Sequence, residues 1–239
     1  MFYRVEDKYI VYEDQIAYIR HRLKNLMQMD SHSSQGSYLI RSIYFDDMDD
    51  SFLEENEAGV DNKTKIRIRN YNGDDSFIRL EEKSKKGGYT HKETAVISRN
   101  TVSELIAGAS LENAPTASGC LLREDGFLFK KLFCLMNTRL LHPVTIIEYE
   151  REAFVEKSGN VRISIDRNIG GSEHVERFFE KDIFAVPVME RGVHLLEVKY
   201  DEFLPDYIEK VIDIGSLQRT AFSKFYYARQ INERNGVFL

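Results

Sequence analysis

The segment Lys65-Ile66-Arg67-Ile68-Arg69-Asn70-Tyr71 alternates polar and apolar residues through Arg69 with a period of two. In an extended strand, residues two apart share a face. Lys65, Arg67, Arg69 and Tyr71 therefore line one side, and Ile66 and Ile68 the other. The pattern recurs along the chain. Arg79, Glu81 and Lys83 oppose Ile78 and Leu80, while Arg162, Ser164 and Asp166 oppose Val161, Ile163 and Ile165. Glu197 and Lys199 oppose Leu196, Val198 and Tyr200; Arg4, Glu6 and Lys8 oppose Tyr3, Val5 and Tyr9; Tyr149 and Arg151 share a further face. A chain with this many two-sided segments must build a sheet with one charged face and one apolar face.

The alternation predicts strands over 3–11, 38–46, 64–71, 76–84, 89–98, 145–155, 161–169 and 194–201, with a weaker one over 175–179. Helical spacing predicts helices over 13–29, 101–107, 121–139, 205–214 and 218–235. Tyr71-Asn72-Gly73-Asp74 and Lys86-Gly87-Gly88 read as hairpin turns. Many strands joined by tight turns, with helices interspersed irregularly, predict an antiparallel α+β protein. No Ser/Gly/Pro linker, repeat or shift of composition divides the 239 residues, so a single domain over 1–239 is expected, with 107–119 as a surface loop inside it. Neither GxGxxG nor GxxxxGK[ST] is present, which disfavours a doubly wound nucleotide-binding fold.

The net charge of −6 makes the chain a poor general binder of nucleic acid or of an anionic membrane. Any anion must be held by local clustering of the 33 Lys and Arg. The strand faces carry such clustering, much of it as Arg, whose planar fork suits phosphate. Two arrangements follow: a half-solvated sheet with its charges outward, or a sheet curled so that the charged face lines a polyanion channel and helices cover the exterior. No apolar run reaches the ~20 residues of a membrane span, and the first residues are not a signal peptide, so a cytoplasmic protein is expected. The six histidines lack metal spacing and read as surface or loop residues; Cys134, on an apolar helix, reads as packed core. Cys120 and Cys134 are too few for a disulfide scaffold.

Ser42-Ile43-Tyr44-Phe45-Asp46-Asp47, followed by the Lys65–Tyr71 segment, resembles the VTC domain family, the polyphosphate polymerase branch of the triphosphate tunnel metalloenzymes. So do Glu81-Glu82-Lys83, Tyr149-Glu150-Arg151, Val161-Arg162-Ile163-Ser164-Ile165-Asp166, Leu196-Glu197-Val198-Lys199 and Phe222-Ser223-Lys224-Phe225, in family order. The resemblance implies an antiparallel β-tunnel (a triphosphate tunnel barrel) with helices packed on the outside. It implies transfer of the γ-phosphoryl of ATP onto a growing polyphosphate chain, assisted by Mn²⁺ or Mg²⁺. By motif, Lys8, Arg67, Arg69, Lys83, Lys92, Arg151, Arg162 and Lys224 become phosphate ligands, joined by Lys199. Arg67, Arg69, Lys83, Arg151, Arg162 and Glu197 are the expected catalytic set. Glu197 is the expected metal carboxylate, with Glu6 and Glu81 in support.

Two departures bear on the branch. Arg4 stands where the hydrolytic and cyclase-like relatives carry the first Glu of an ExExK strand, which favours the polymerase. Ala221 stands where eukaryotic polymerases carry a further Lys, leaving Arg219 as a candidate substitute. Two other functions stay open at the level of sequence. One is metal-dependent hydrolysis of triphosphate or nucleoside triphosphates. The other is a polyphosphate-binding module without turnover. The expected partners are ATP and inorganic polyphosphate, with no nucleic acid and no membrane span; the oligomeric state is not encoded legibly.

Overall fold

A computed structural model describes residues 4–33, 36–87, 89–108, 126–213, 215 and 217–236. In chain order these form β1 (Arg4–Tyr12), α1 (Glu13–Leu26), β2 (Gln28–Met29), β3 (Tyr38–Asp46), α2 (Ser51–Glu57), β4 (Lys63–Tyr71), β5 (Asp74–Lys86), β6 (Tyr89–Ile97) and α3 (Arg99–Ile106). There follow α4 (Gly126–Thr138), β7 (His142–Glu156), β8 (Val161–Ser172), β9 (Val186–Pro187), β10 (Val193–Asp201), α5 (Asp206–Ile212), β11 (Gln218–Arg219) and α6 (Lys224–Gly236). The mixed α+β class expected from the alternation is what the chain adopts.

The strands hydrogen-bond in the order β11-β1-β10-β8-β7-β3-β4-β5-β6, with β2 on β7 and β9 on β8. The ladders from β1 to β10, β10 to β8, β3 to β4, β4 to β5 and β5 to β6 are all antiparallel. The order has two ends, and no ladder among the described residues joins β11 to β6. The sheet is therefore open in its hydrogen bonding where a closed tunnel was expected. Terminal β11 offers two residues, paired with Tyr9 and Ile10, and is too short to carry a full ladder further.

The chain groups into two compact units. The first comprises Met1–Leu39, Tyr149–Gly170 and Pro187–Phe222. Its core is the apolar face of β1, β7, β8 and β10: Val11, Phe154, Ile163, Ile165, Leu196 and Val198 pack with Ile16, Ile19 and Leu23 of α1 and with Ile208 and Val211 of α5. Each such buried Leu or Ile contributes about 1.5–3 kcal/mol, so covering this face is what commits α1 and α5 to it. The second unit comprises Ile40–Glu148, Gly171–Val186 and Ser223–Leu239. There Ile43, Phe45, Ile66, Ile68, Ile78 and Leu80 are buried, together with Val102 and Leu105 of α3 and Leu128 and Leu132 of α4. In both units the apolar parity is buried, leaving the charged parity for the opposite face.

The first hairpin forms as the sequence demands. Asn72 (φ 53°) and Gly73 (φ 69°) occupy the left-handed region that a two-residue primed turn needs, between paired Tyr71 and Asp74. Elsewhere the elements differ from expectation. The helix expected over 13–29 ends at Leu26, because Gln28 and Met29 pair with Val155 and Phe154. The weak strand expected over 175–179 contains a 3-10 turn, Val175–Arg177, with Arg177 N–H donating to the His174 carbonyl. The closing helix begins at Lys224 rather than 218, since Gln218 and Arg219 are taken by β1. α3 starts two residues early, where the Ser98 hydroxyl accepts from Thr101 N–H as its N-cap. The acidic run after β3 resolves into a buried cap: Asp46 accepts from the amides of Asp47, Phe52 and Leu53 at the start of α2. Cys134 is exposed, not core, because α4 turns Leu128 and Leu132 inward instead. Cys120, most of the 107–119 loop and the first turns of the helix expected over 121–139 lie outside the described residues. No helix among the described residues is long and apolar enough to cross a membrane.

Candidate functional site

In the first unit, register alone assembles a charged row. Lys8 faces Glu197 and Glu6 faces Lys199 across β1 and β10. Glu197 then faces Ser164, and Lys199 faces Arg162, across β10 and β8. The side chains knit further. Arg151, on β7, grips Asp166 with two bonds, Nε to Oδ1 at 2.6 Å and Nη2 to Oδ2 at 2.7 Å, and reaches Glu197 at 3.2 Å. Lys199 Nζ donates to Glu197 at 2.9 Å and lies 3.9 Å from Glu6. Lys8 Nζ donates to the Phe222 carbonyl at 2.9 Å and stands 3.4 Å from Glu6. Arg162 is held by Asp30 at 2.9 Å and by the Tyr38 hydroxyl at 3.1 Å.

These charges are largely dry: Arg151, Asp166 and Glu197 are all buried. Burial alone would lower the Arg151 pKa, but Asp166, Tyr149 and Glu197 outweigh it and hold it well above the ordinary guanidinium value. Burial pushes the Lys199 ammonium below its usual range in spite of Glu197 and Glu6. Removing one member of such a set leaves a buried charge unpaired, which costs about 3–5 kcal/mol.

The second unit gathers cations around one carboxylate. Arg67 donates to Glu81 at 2.7 Å, Lys92 donates to it at 2.6 Å, and Arg69 lies 3.8 Å away. Burial would raise the Glu81 pKa, yet Arg67, Arg69 and Lys92 hold it far below the usual carboxylate range. Arg69 also donates to Ser42 Oγ at 3.0 Å, and Arg67 to the Tyr44 hydroxyl at 3.0 Å. The Tyr44 ring stacks on Phe225 at 5.2 Å. Burial would raise the Tyr44 phenol, but Arg67, Arg69 and Lys224 bring it below its ordinary value. Lys83 sits between Lys65 on β4 and Lys92 on β6, and Lys65 Nζ donates to Ser223 Oγ at 3.1 Å. Lys224 opens α6 beside that serine.

Each sequence-predicted site residue thus falls into one of two clusters: Lys8, Arg151, Arg162, Glu197, Lys199 and Glu6 in the first unit; Arg67, Arg69, Lys83, Lys92, Lys224 and Glu81 in the second. Arg219 pairs with Asp7, whose parity on β1 is opposite to that of Lys8, so it does not replace the missing lysine. Sequence reasoning left Tyr44 and Ser42 unassigned, though both stand on the first motif and on the parity that meets Arg67 and Arg69. Asp30 and Tyr38 carried no local signal.

A divalent cation is tested by the donor set. Among the described residues, no group of three or more His, Cys, Asp or Glu comes together. Glu6 and Glu197, however, both reach the Lys199 ammonium, so two hard carboxylates already share one cation. One or two carboxylates completed by substrate phosphates suit Mg²⁺ or Mn²⁺, and the Glu6–Glu197 pair fits that requirement. Glu81 is approached by three cations, Arg67, Arg69 and Lys92, and Glu197 by two, Arg151 and Lys199.

The VTC domain model matches residues 3–231. No curated protein matches the chain. Among solved structures, a proposed adenylate cyclase from Bacillus halodurans is 14% identical, with a TM-score of 0.48, 92% of this chain and 93% of that one being covered. A conserved hypothetical protein from Pyrococcus furiosus is 11% identical, with a TM-score of 0.42, over 88% of this chain and 86% of that one. The match to the family model spans nearly the whole sequence and includes every strand that carries the two clusters; the chain belongs to the VTC domain family.

Proposed function

We propose that this chain is a polyphosphate polymerase that transfers the γ-phosphoryl of ATP onto a growing polyphosphate chain, as one VTC-like domain over 1–239 with its basic strand faces enclosed as a tunnel. The observation that supports this most is the shared-carboxylate arrangement. Arg67, Arg69 and Lys92 converge on Glu81, a local concentration of fixed positive charge in a chain whose net charge is −6. Phosphoryl transfer asks chiefly for alignment and for neutralisation of charge spread over equatorial oxygens. Arg67 and Arg69 present guanidinium forks already oriented by Glu81, Tyr44 and Ser42. Arg151 is pinned by Asp166, so it binds an anion with little further ordering. Lys8, Lys83, Lys92, Arg162, Lys199 and Lys224 supply further ammonium and guanidinium contacts to the chain of phosphates. When the acceptor is a phosphate oxygen, it arrives deprotonated and needs no general base. A Mn²⁺ or Mg²⁺ ion, when bound, supplies further neutralisation of phosphate charge, and Glu197 with Glu6 would hold it.

The test is incubation of the purified protein with ATP and Mn²⁺, with products resolved on a polyphosphate-stained gel and free phosphate assayed in parallel. A polymer ladder with ADP is expected. Glu197→Gln should reduce its formation about a hundredfold or more while leaving polyphosphate binding intact or slightly tighter. Free phosphate without polymer would move the protein to the hydrolases. Tight binding with neither product would make it a binding module, and unchanged turnover in Glu197→Gln would remove Glu197 from the metal.

A further inference from the structure

Beside α5, in the first unit, lies a cavity of about 550 Å³ that the phosphate chemistry leaves unused. Its wall includes Asp7 and Tyr9 of β1, Tyr200 of β10, Glu202 and Phe203 of the turn that follows, and Glu209 of α5. Asp213 adds a further carboxylate, and Ile212 and Leu217 give an apolar floor. Asp7 and Tyr9 have the parity on β1 opposite to Glu6 and Lys8, so this is not the cationic face. Among the described residues the lining itself includes no Lys or Arg, although Arg219 pairs with Asp7 of the wall. Glu202, Glu209 and Asp213 form no ion pair among the described residues, in contrast to the multiply paired carboxylates of the phosphate clusters.

Aromatic rings, carboxylates and a concave volume in the small-ligand range are the ingredients by which proteins hold organic cations. The ring faces attract the cation while carboxylates neutralise it. The chain itself supplies an independent indication. Buried Asp7, on the cavity wall, is ion-paired with the guanidinium of Arg219, whose side chain is two-thirds exposed. The wall therefore already recognises a guanidinium, delivered from β11 immediately after Leu217. Burial, and after it the nearby Asp7 carboxylate, raise the phenols of Tyr9 and Tyr200, against the opposing effect of Arg219.

We infer that this cavity is a binding site for a small organic cation with a short alkyl body, of the alkylguanidinium or polyamine class, for which Arg219 acts as a tethered competitor at Asp7. The site is separate from the phosphate clusters, and its test stands whether or not the chain makes polyphosphate.

The experiment is calorimetric titration of the full chain with agmatine and, separately, with spermidine. Saturable one-to-one binding is expected for at least one of them; preference for agmatine would assign the guanidinium class, and preference for spermidine the polyamine class. Phe203→Ala and Glu209→Gln, both at exposed positions, should each weaken binding about fivefold with an unchanged melting temperature. Arg219→Ala should tighten it, because Asp7 is released to the ligand. A merely acidic surface would show none of this order: several weak sites, equal loss for any removed carboxylate, and no gain from Arg219→Ala. Absence of saturable binding of either cation, or affinity indifferent to Phe203→Ala and Arg219→Ala, would overturn the inference.

Discussion

Glu81 is a single carboxylate asked to balance three cations, and its stability follows from that. Burial acting alone would make it easier to protonate; Arg67, Arg69 and Lys92 reverse the sign and carry its pKa well below the ordinary 4.5. A carboxyl depressed in the folded state contributes stability that is complete above the unfolded value. That stability is lost as pH falls through the folded one. The wild type should therefore lose stability steeply on acidification below about pH 4.5. Glu81→Gln should be less stable by about 3 kcal/mol near neutrality, since it removes the carboxylate charge that half-buried Arg67 and buried Arg69 share, and should lose less on acidification. Urea midpoints measured as a function of pH check this, and parallel curves for the two proteins would refute it. The residues that hold a cation in place are the part of the site least legible in sequence. Tyr44 meets Arg67 because β3 and β4 pair in one register, and Asp30 meets Arg162 only once strands far apart in the chain are assembled. Alternation tells which face a side chain occupies; it says nothing of which neighbour stands across the ladder.

Among the elements, α6 is placed by a close approach rather than by its own pattern. A Cβ built at Gly171 of β8 would stand 2.8 Å from the Ala228 Cβ and 3.2 Å from its Cα. Only a residue without a side chain lets the helix lie that near the strand. Gly171→Ala should destabilise the protein by about 1–3 kcal/mol, and tripolyphosphate affinity should fall with it, because α6 begins with Lys224. Adding Ala228→Gly should restore part of both. Thermal melts and titration calorimetry read the two effects, and a Gly171→Ala protein with unaltered melting would show that the helix gives way freely. The long strands were readable because their period is local and repeated; the two-residue strands β2, β9 and β11 were not, because two residues carry no period. The same pairing of Gln218 and Arg219 with β1 displaced the predicted start of α6, an outcome decided by a distant partner.

At the scale of the whole molecule, 39 acidic and 33 basic residues give a negative chain, while two clusters collect cations on the sheet's charged parity. Polyanion affinity must then come from short-range contacts made against an unfavourable long-range field. Salt screens both, but the contacts, each releasing counterions, dominate. Polyphosphate affinity should fall by about tenfold or more from low to physiological ionic strength, as filter binding or calorimetry would show. A flat profile would mean that the cations are not the binding surface. Lys65, Lys83 and Lys92 are set side by side across β4, β5 and β6. Each ammonium has its own partner or field, yet like charges directly opposite one another push their strands apart. This repulsion falls at the end of the β4–β5 ladder remote from the Asn72-Gly73 turn. A long anion laid across those three rungs would act as a clasp, changing how often the sheet's edge breathes without changing its shape.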